Sequence, residues 1–123
     1  MTGFSTWLDG SVAIVQPMAS LYAFDARNLA DALEQARELT QVPAVIVTLE
    51  SAPLVDRDAL DVILRAHGDY QQRGGRIALC SVPASVRTAL ERCRRLEPPR
   101  VFPDLEQALA ELSPRERPAR LSA

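Results

Sequence analysis

The chain has 123 residues, 47% of them hydrophobic and 24% charged, and carries a net charge of -2. That balance fits one globular domain with a core large enough to stand without staples, and it offers no basic footprint for nucleic acid. Every strong cation is arginine; lysine is absent, which removes Schiff-base chemistry and the lysine of a phosphate loop.

Phe4 to Leu8 and Val12 to Val15 are short apolar runs separated by Asp9-Gly10. This pattern predicts a β-hairpin, because both turn residues tolerate positive φ. Pro17 argues against the second strand continuing as a central one. From Asp25 the period lengthens. Ala26, Leu29, Leu33, Ala36 and Leu39 form a helical stripe that the Asp25 carboxylate could cap. "VPAVIVTL", residues 42–49, is a continuous β-branched run and predicts a strand covered on both faces. Leu60, Ile63, Leu64, His67 and Tyr70 repeat at helical spacing until Gly74-Gly75. "RIALCSV", residues 76–82, predicts the next buried strand. Val86, Ala89, Leu90, Cys93 and Leu96 mark a third helix stopped by Pro98-Pro99. Val101-Phe102 allows a short strand. Pro103-Asp104 opens a last helix on Leu105, Ala108, Leu109 and Leu112.

The predicted order is β-β-α-β-α-β-α-β-α. The fold class is α/β: a mixed, mostly parallel sheet of four to five strands, with an N-terminal hairpin and about four helices. One domain is expected over residues 1–112. The tail from Ser113, with its prolines and alternating charge, is expected to be disordered.

Little of this supports catalysis. His67 lies in a helix stripe with Ile63 and Leu64, the place of a structural imidazole. Cys80 and Cys93 lack metal-ligand spacing and are expected to be buried reduced thiols. Ser51, Ser81 and Ser85 have no histidine placed by a recognisable motif. A phosphoryl-accepting receiver needs an acidic Mg²⁺ cluster and a lysine, so Asp56 does not make one. No cofactor and no metal are implied. No stretch reaches the ~20 apolar residues of a membrane span, and the first residues lack the basic and apolar regions of a secretory signal. A cytoplasmic protein without direct membrane insertion is expected.

"PLVDRDALDVIL", residues 53–64, passes from an apolar run to a helix through Asp56-Arg57-Asp58. A helix start carries roughly +0.5 charge and unpaired amides. Asp56 can therefore cap it, with Asp58 and Asp61 in the first turn. Arg57 is unfavourable there unless it turns outward or meets Asp56, Asp58 or Glu50. It is either a surface residue with local pairing or a contact for a partner.

The segment "VIVTLESAPLVDRDALDVIL", residues 45–64, resembles the signature of the STAS domain, found in anti-sigma factor antagonists and in sulfate-transporter tails. Asp56 and Leu60 match the family's Asp-Ser-x-Gly-Leu helix opening. "RGGRIALCSVPASVRTAL" (73–90) and "VFPDLEQAL" (101–109) resemble the following strand-helix units. The likeness runs over about residues 11–112 and implies a non-catalytic protein-binding regulatory module. In the family's antagonists a kinase-phosphorylated serine follows the aspartate; here that position is Arg57, and the glycine is Ala59. The family's earlier Gly-x-x-Asp is matched by Ala19-Ser20-Leu21-Tyr22. The resemblance thus implies a docking surface at Asp56, Arg57, Asp58, Asp61 and Arg65 without the phosphate switch, with Ser51 and Ser81 as minor substitute acceptors. The implied partner is a protein, an anti-sigma factor kinase-like one. The alternative is a STAS subunit of a larger assembly, such as a stress-signalling scaffold or a lipid-transport complex. Nucleotide or small-ligand binding ranks last.

Overall fold

A computed structural model describes residues 3–41, 44–93 and 97–113. Its elements are β1 (Phe4–Asp9), β2 (Val12–Pro17), a short 3₁₀ turn (Ala23–Asp25), α1 (Ala26–Glu38), β3 (Ala44–Thr48), α2 (Arg57–Gln72), β4 (Arg76–Cys80), α3 (Ala84–Glu91), β5 (Arg100–Phe102) and α4 (Leu105–Leu112). The five strands form one sheet in the order β1-β2-β3-β4-β5. Only β1 runs antiparallel to its neighbour. This is the α/β architecture expected from the alternation of buried runs and helical stripes.

Side-chain alternation along each strand builds two cores. Ala13, Val15, Val45, Val47, Ile77 and Leu79 point to one face, where α1, α2 and α3 cover them. Val12, Ile14, Ile46, Ala78, Cys80 and Phe102 point to the other, against Ala108 and Leu112 of α4. Both faces are buried, so the central strands read as unbroken apolar runs.

The boundaries refine the sequence reading in several places. The hairpin loop is Gly10-Ser11 rather than Asp9-Gly10, because Asp9 still pairs with Val12. Gly10 takes φ +64, and a type II′ hairpin wants glycine at this first loop position. β2 is central over Ala13–Val15, where it pairs with β3, and Pro17 lies beyond that pairing. α1 ends at Glu38, so Leu39 is its exposed C-cap, and Ala32 joins the buried stripe. Asp25 does not cap α1: its buried carboxylate faces backwards and accepts the Tyr22 N–H at 2.9 Å. α2 ends on a Schellman pair, with Gly74 N–H donating to Gln71 C=O and Gly75 N–H to Tyr70 C=O. Gly74, at φ +80, supplies the left-handed residue. β4 stops at Cys80 because Ser81 turns to φ +55. α3 ends at Glu91, before Cys93 and well before Pro98, while Ala89 faces solvent. The expectations for Val42, Pro43, Leu96 and the tail after Ser113 lie outside the described residues.

His67 is buried, and its Nδ1 accepts the Ile77 N–H at 3.0 Å. It fixes α2 to the first half of β4, a structural role. Among the described residues, no helix is long and apolar enough to cross a membrane. Nor does any group of His, Cys, Asp and Glu there suit a metal ion.

Candidate functional site

The loop from β3 to α2 crosses the end of the sheet and meets the loop from β2 to α1. An isolated parallel bridge joins Leu21 to Val55. Leu21 N–H donates to Leu54 C=O at 2.9 Å, and Asp56 N–H donates to Leu21 C=O at 2.8 Å. Leu54 N–H also donates to Ser20 Oγ at 3.2 Å. The Leu21 side chain is fully buried beneath this clasp. The apolar run Leu54-Val55 is therefore one rung of a ladder, with no strand of its own. Nearby, Gln16 Nε2 donates to Ser51 Oγ at 2.9 Å, which ties the end of β2 to the same loop.

The clasp delivers the chain to the start of α2. Asp56 is extended at the N-cap, and its Oδ1 accepts the Arg57 N–H at 2.7 Å. Asp58 lies in the first turn, where a carboxylate opposes the positive end of the dipole. Asp61 falls one turn further on, outside the first turn expected for it. Asp56, Arg57 and Asp58 are exposed. Among the described residues Arg57 makes no ion pair, so the expected local pairing with Asp56, Asp58 or Glu50 is not formed.

Arg57 and Asp61 are brought together on one wall of a groove of about 450 Å³ between α2 and α3, opposite Ser85, Thr88 and Arg92. Arg65 is separated from them. It lines a smaller groove of about 270 Å³ between α1 and α2, with Asp69 and Arg73, where Arg37 pairs with Glu34. Two turns of helix, about 12 Å, lie between Arg57 and Arg65.

Sequence reasoning missed an exposed aromatic pair that follows Leu21 in the chain. Tyr22 (40% exposed) and Phe24 (68%) stack at 5.5 Å between ring centroids. The 3₁₀ turn that carries them is held by a reciprocal pair: Asp25 N–H donates to Tyr22 C=O, and the Asp25 carboxylate accepts the Tyr22 N–H. Leu54, itself part of the clasp, is also exposed. "PMASLYAF", residues 17–24, has neither charge nor period, so nothing in it separates the buried Leu21 from the exposed Tyr22 and Phe24.

Ser51 and Ser81 are half-buried. Burial pushes the Cys80 thiol above its usual range, outweighing the opposing influence of the Thr48 and Ser81 hydroxyls. Cys80 is buried and Cys93 only partly so; neither forms a disulfide. Reactivity follows the exposed thiolate. A maleimide at pH 8 is therefore expected to label Cys93 in the native protein and both cysteines only in denaturant, read by mass spectrometry of the peptides.

The comparisons with known proteins agree with this architecture. A STAS domain protein from Planctomyces limnophilus is 16% identical and superposes with a TM-score of 0.76, covering 92% of this chain and 99% of that one. The anti-sigma factor antagonist SpoIIAA of Bacillus, known in unphosphorylated and phosphorylated forms, gives 12% identity and a TM-score of 0.69 for the unphosphorylated form. There the match covers 89% of this chain and 96% of SpoIIAA. The murine anion transporter Slc26a9 matches at 16% identity and a TM-score of 0.62, over 86% of this chain but 18% of the transporter. No curated protein matches in sequence. The STAS domain family itself matches residues 8–108. With the sheet order, the helix layers and the Asp56 helix start all in place, the chain belongs to the STAS domain family.

Proposed function

We propose that this chain is a non-catalytic regulatory module of the anti-sigma factor antagonist type, acting in the bacterial cytoplasm to influence transcription through a protein partner. It binds that partner, an anti-sigma factor kinase-like protein, through Asp56, Arg57, Asp58 and Asp61, with Arg65 at the margin. The observation that carries this reading is Arg57, an exposed cation without an ion pair among the described residues, at the family's phosphoserine position by resemblance. Arginine accepts no phosphate through that chemistry, and its charge is opposite to the -1.5 to -2 that phosphoserine brings (order of magnitude). The module thus keeps the docking surface and lacks the switch. The clasp supports the reading by holding the loop in one shape before binding, which lowers the ordering cost of association.

Arg57→Glu is expected to weaken binding to an anti-sigma factor kinase-like protein at least about tenfold, or about 1.4 kcal/mol, in a calorimetric titration. The denaturation midpoint should not fall, because an anion at the start of α2 suits the helix dipole better than a cation does. Equal affinity for the variant rejects the site. Incubation with the kinase and labelled ATP is expected to leave the Asp56 loop unlabelled; stable label there, or on Ser51 or Ser81, rejects the loss of the switch. A second reading, a STAS subunit of a larger assembly such as a stress-signalling scaffold or a lipid-transport complex, is favoured by the likeness to part of Slc26a9. Co-purification with a membrane ATPase rather than a sigma regulator would select it.

A further inference from the structure

We propose that the outer edge of β1 is a pairing surface for a second copy of this chain, with the two β1 strands antiparallel about a two-fold axis at Thr6. The ladder shows which backbone groups are available. Met18 N–H donates to Gly3 C=O at 2.9 Å, continuing the register that sets Phe4 opposite Pro17. Hydrogen-bonded and non-bonded pairs alternate in an antiparallel ladder. Gly3, Ser5, Trp7 and Asp9 therefore turn their N–H and C=O groups towards β2. Phe4, Thr6 and Leu8 turn theirs outward. Pro17, opposite Phe4, has no N–H to offer, as that assignment requires.

The two edges of the sheet are treated differently. β5 has three residues and lies between Pro98-Pro99 and Pro103. Arg100 guards it, stacked over Phe102 at 5.1 Å and paired with Glu111 at 3.2 Å. These are the usual devices against edge pairing. β1 has six residues, uncharged from Phe4 to Leu8, with no proline and no bulge in its register. Trp7 (37% exposed) and Leu8 (48%) project to opposite faces of this edge.

Self-pairing must set outward residues opposite outward residues. An axis at Thr6 places Phe4 against Leu8 of the second copy and Thr6 against its own counterpart. Every outward N–H and C=O of the three residues then finds a partner. Asp9 meets Gly3, so no like charges oppose. An axis at Trp7 would instead push Phe4 against the Gly10 turn. On the chosen register Trp7 lies beside Ser5 and Leu8 beside Phe4 of the second copy, which covers apolar area on both faces. None of these residues belongs to the Asp56–Arg65 surface, so the inference is independent of the proposed function.

Sedimentation velocity on the full chain, over a roughly hundredfold concentration range chosen for a weak dimer, is expected to move the mass from one chain to two. Thr6→Pro removes an outward N–H and costs a single copy no ladder hydrogen bond. It should abolish the dimer with an unchanged circular dichroism spectrum. Leu8→Lys, a charge at the edge, should do the same. In a Cys93→Ser background, a short bismaleimide should join Thr6→Cys chains in pairs but not Thr88→Cys chains. One chain at every concentration overturns the proposal, as does a dimer that survives both Leu8→Lys and Thr6→Pro. Should Thr6→Pro not fold, Leu8→Lys and the cross-link decide.

Discussion

Replacing Tyr70 with alanine is expected to lower the unfolding free energy by about 3–5 kcal/mol, measured as a shift of the urea midpoint at constant slope. Tyr70 is 2% exposed, lies in the core beneath α1 and α2, and donates its hydroxyl proton to Leu33 C=O at 2.5 Å. One side chain thus supplies ring packing and a bond between the two helices. Alanine removes both and leaves a cavity. Phenylalanine keeps the ring and is expected to cost only about 1 kcal/mol. The same residue sets an alkaline limit. Burial pushes the Tyr70 phenol well above its usual range, with Glu34 adding to the shift and Arg37 opposing it. The folded state therefore holds this proton more tightly than the unfolded chain does. Its contribution is intact below about pH 10 and declines above it, by up to about 1.4 kcal/mol per pH unit. The Cys80 thiol acts in the same sense. The comparison to make is parent against Tyr70→Phe, and the variant should lose stability less steeply above pH 10.

Leu21→Ala is expected to cost about 2–5 kcal/mol, the range for a fully buried leucine, and to act on the site as well. Leu21 anchors the clasp by its side chain and bonds Leu54 and Asp56 by its backbone. Hydrogen exchange should accelerate at the amides of Leu21 and Asp56 more than at Ile63 or Leu64 within α2. Equal acceleration everywhere would mean that the clasp opens only when the whole molecule does. A specific gain at these two amides would show that the Asp56 loop is held by Leu21 rather than by α2.

The element order was legible because each element announces itself through burial. The β-branched run at Val45–Thr48 must be covered on both faces, and Leu60, Ile63, Leu64, His67 and Tyr70 can share one face only on a helix. Asp56 was legible as a cap for the same local reason. What was not legible depends on tertiary contact. Asp25 suits either direction of capping, and the choice follows from the 3₁₀ turn that places Tyr22 within its reach. Leu39 keeps the helical period but is the C-cap, one residue past the end of α1. Arg65 keeps the spacing of Arg57 and Asp61, yet α2 carries it to the other groove. The end of α3 carries no local mark, since no breaker stands between Glu91 and Pro98. Tyr22 and Phe24 are apolar and exposed, a combination that periodicity does not report.

The Leu21 seam also governs how such a protein can diversify. Each loop it joins is measured against the other, so a residue inserted between Met18 and Ser20, or between Pro53 and Val55, would throw the rung out of step. The Gly10-Ser11 tip answers to no such counterpart and can lengthen. New binding preferences around Arg57 must then arise by exchanging side chains on a backbone of constant outline, and relatives with different clients should differ there in residue type while keeping loop length.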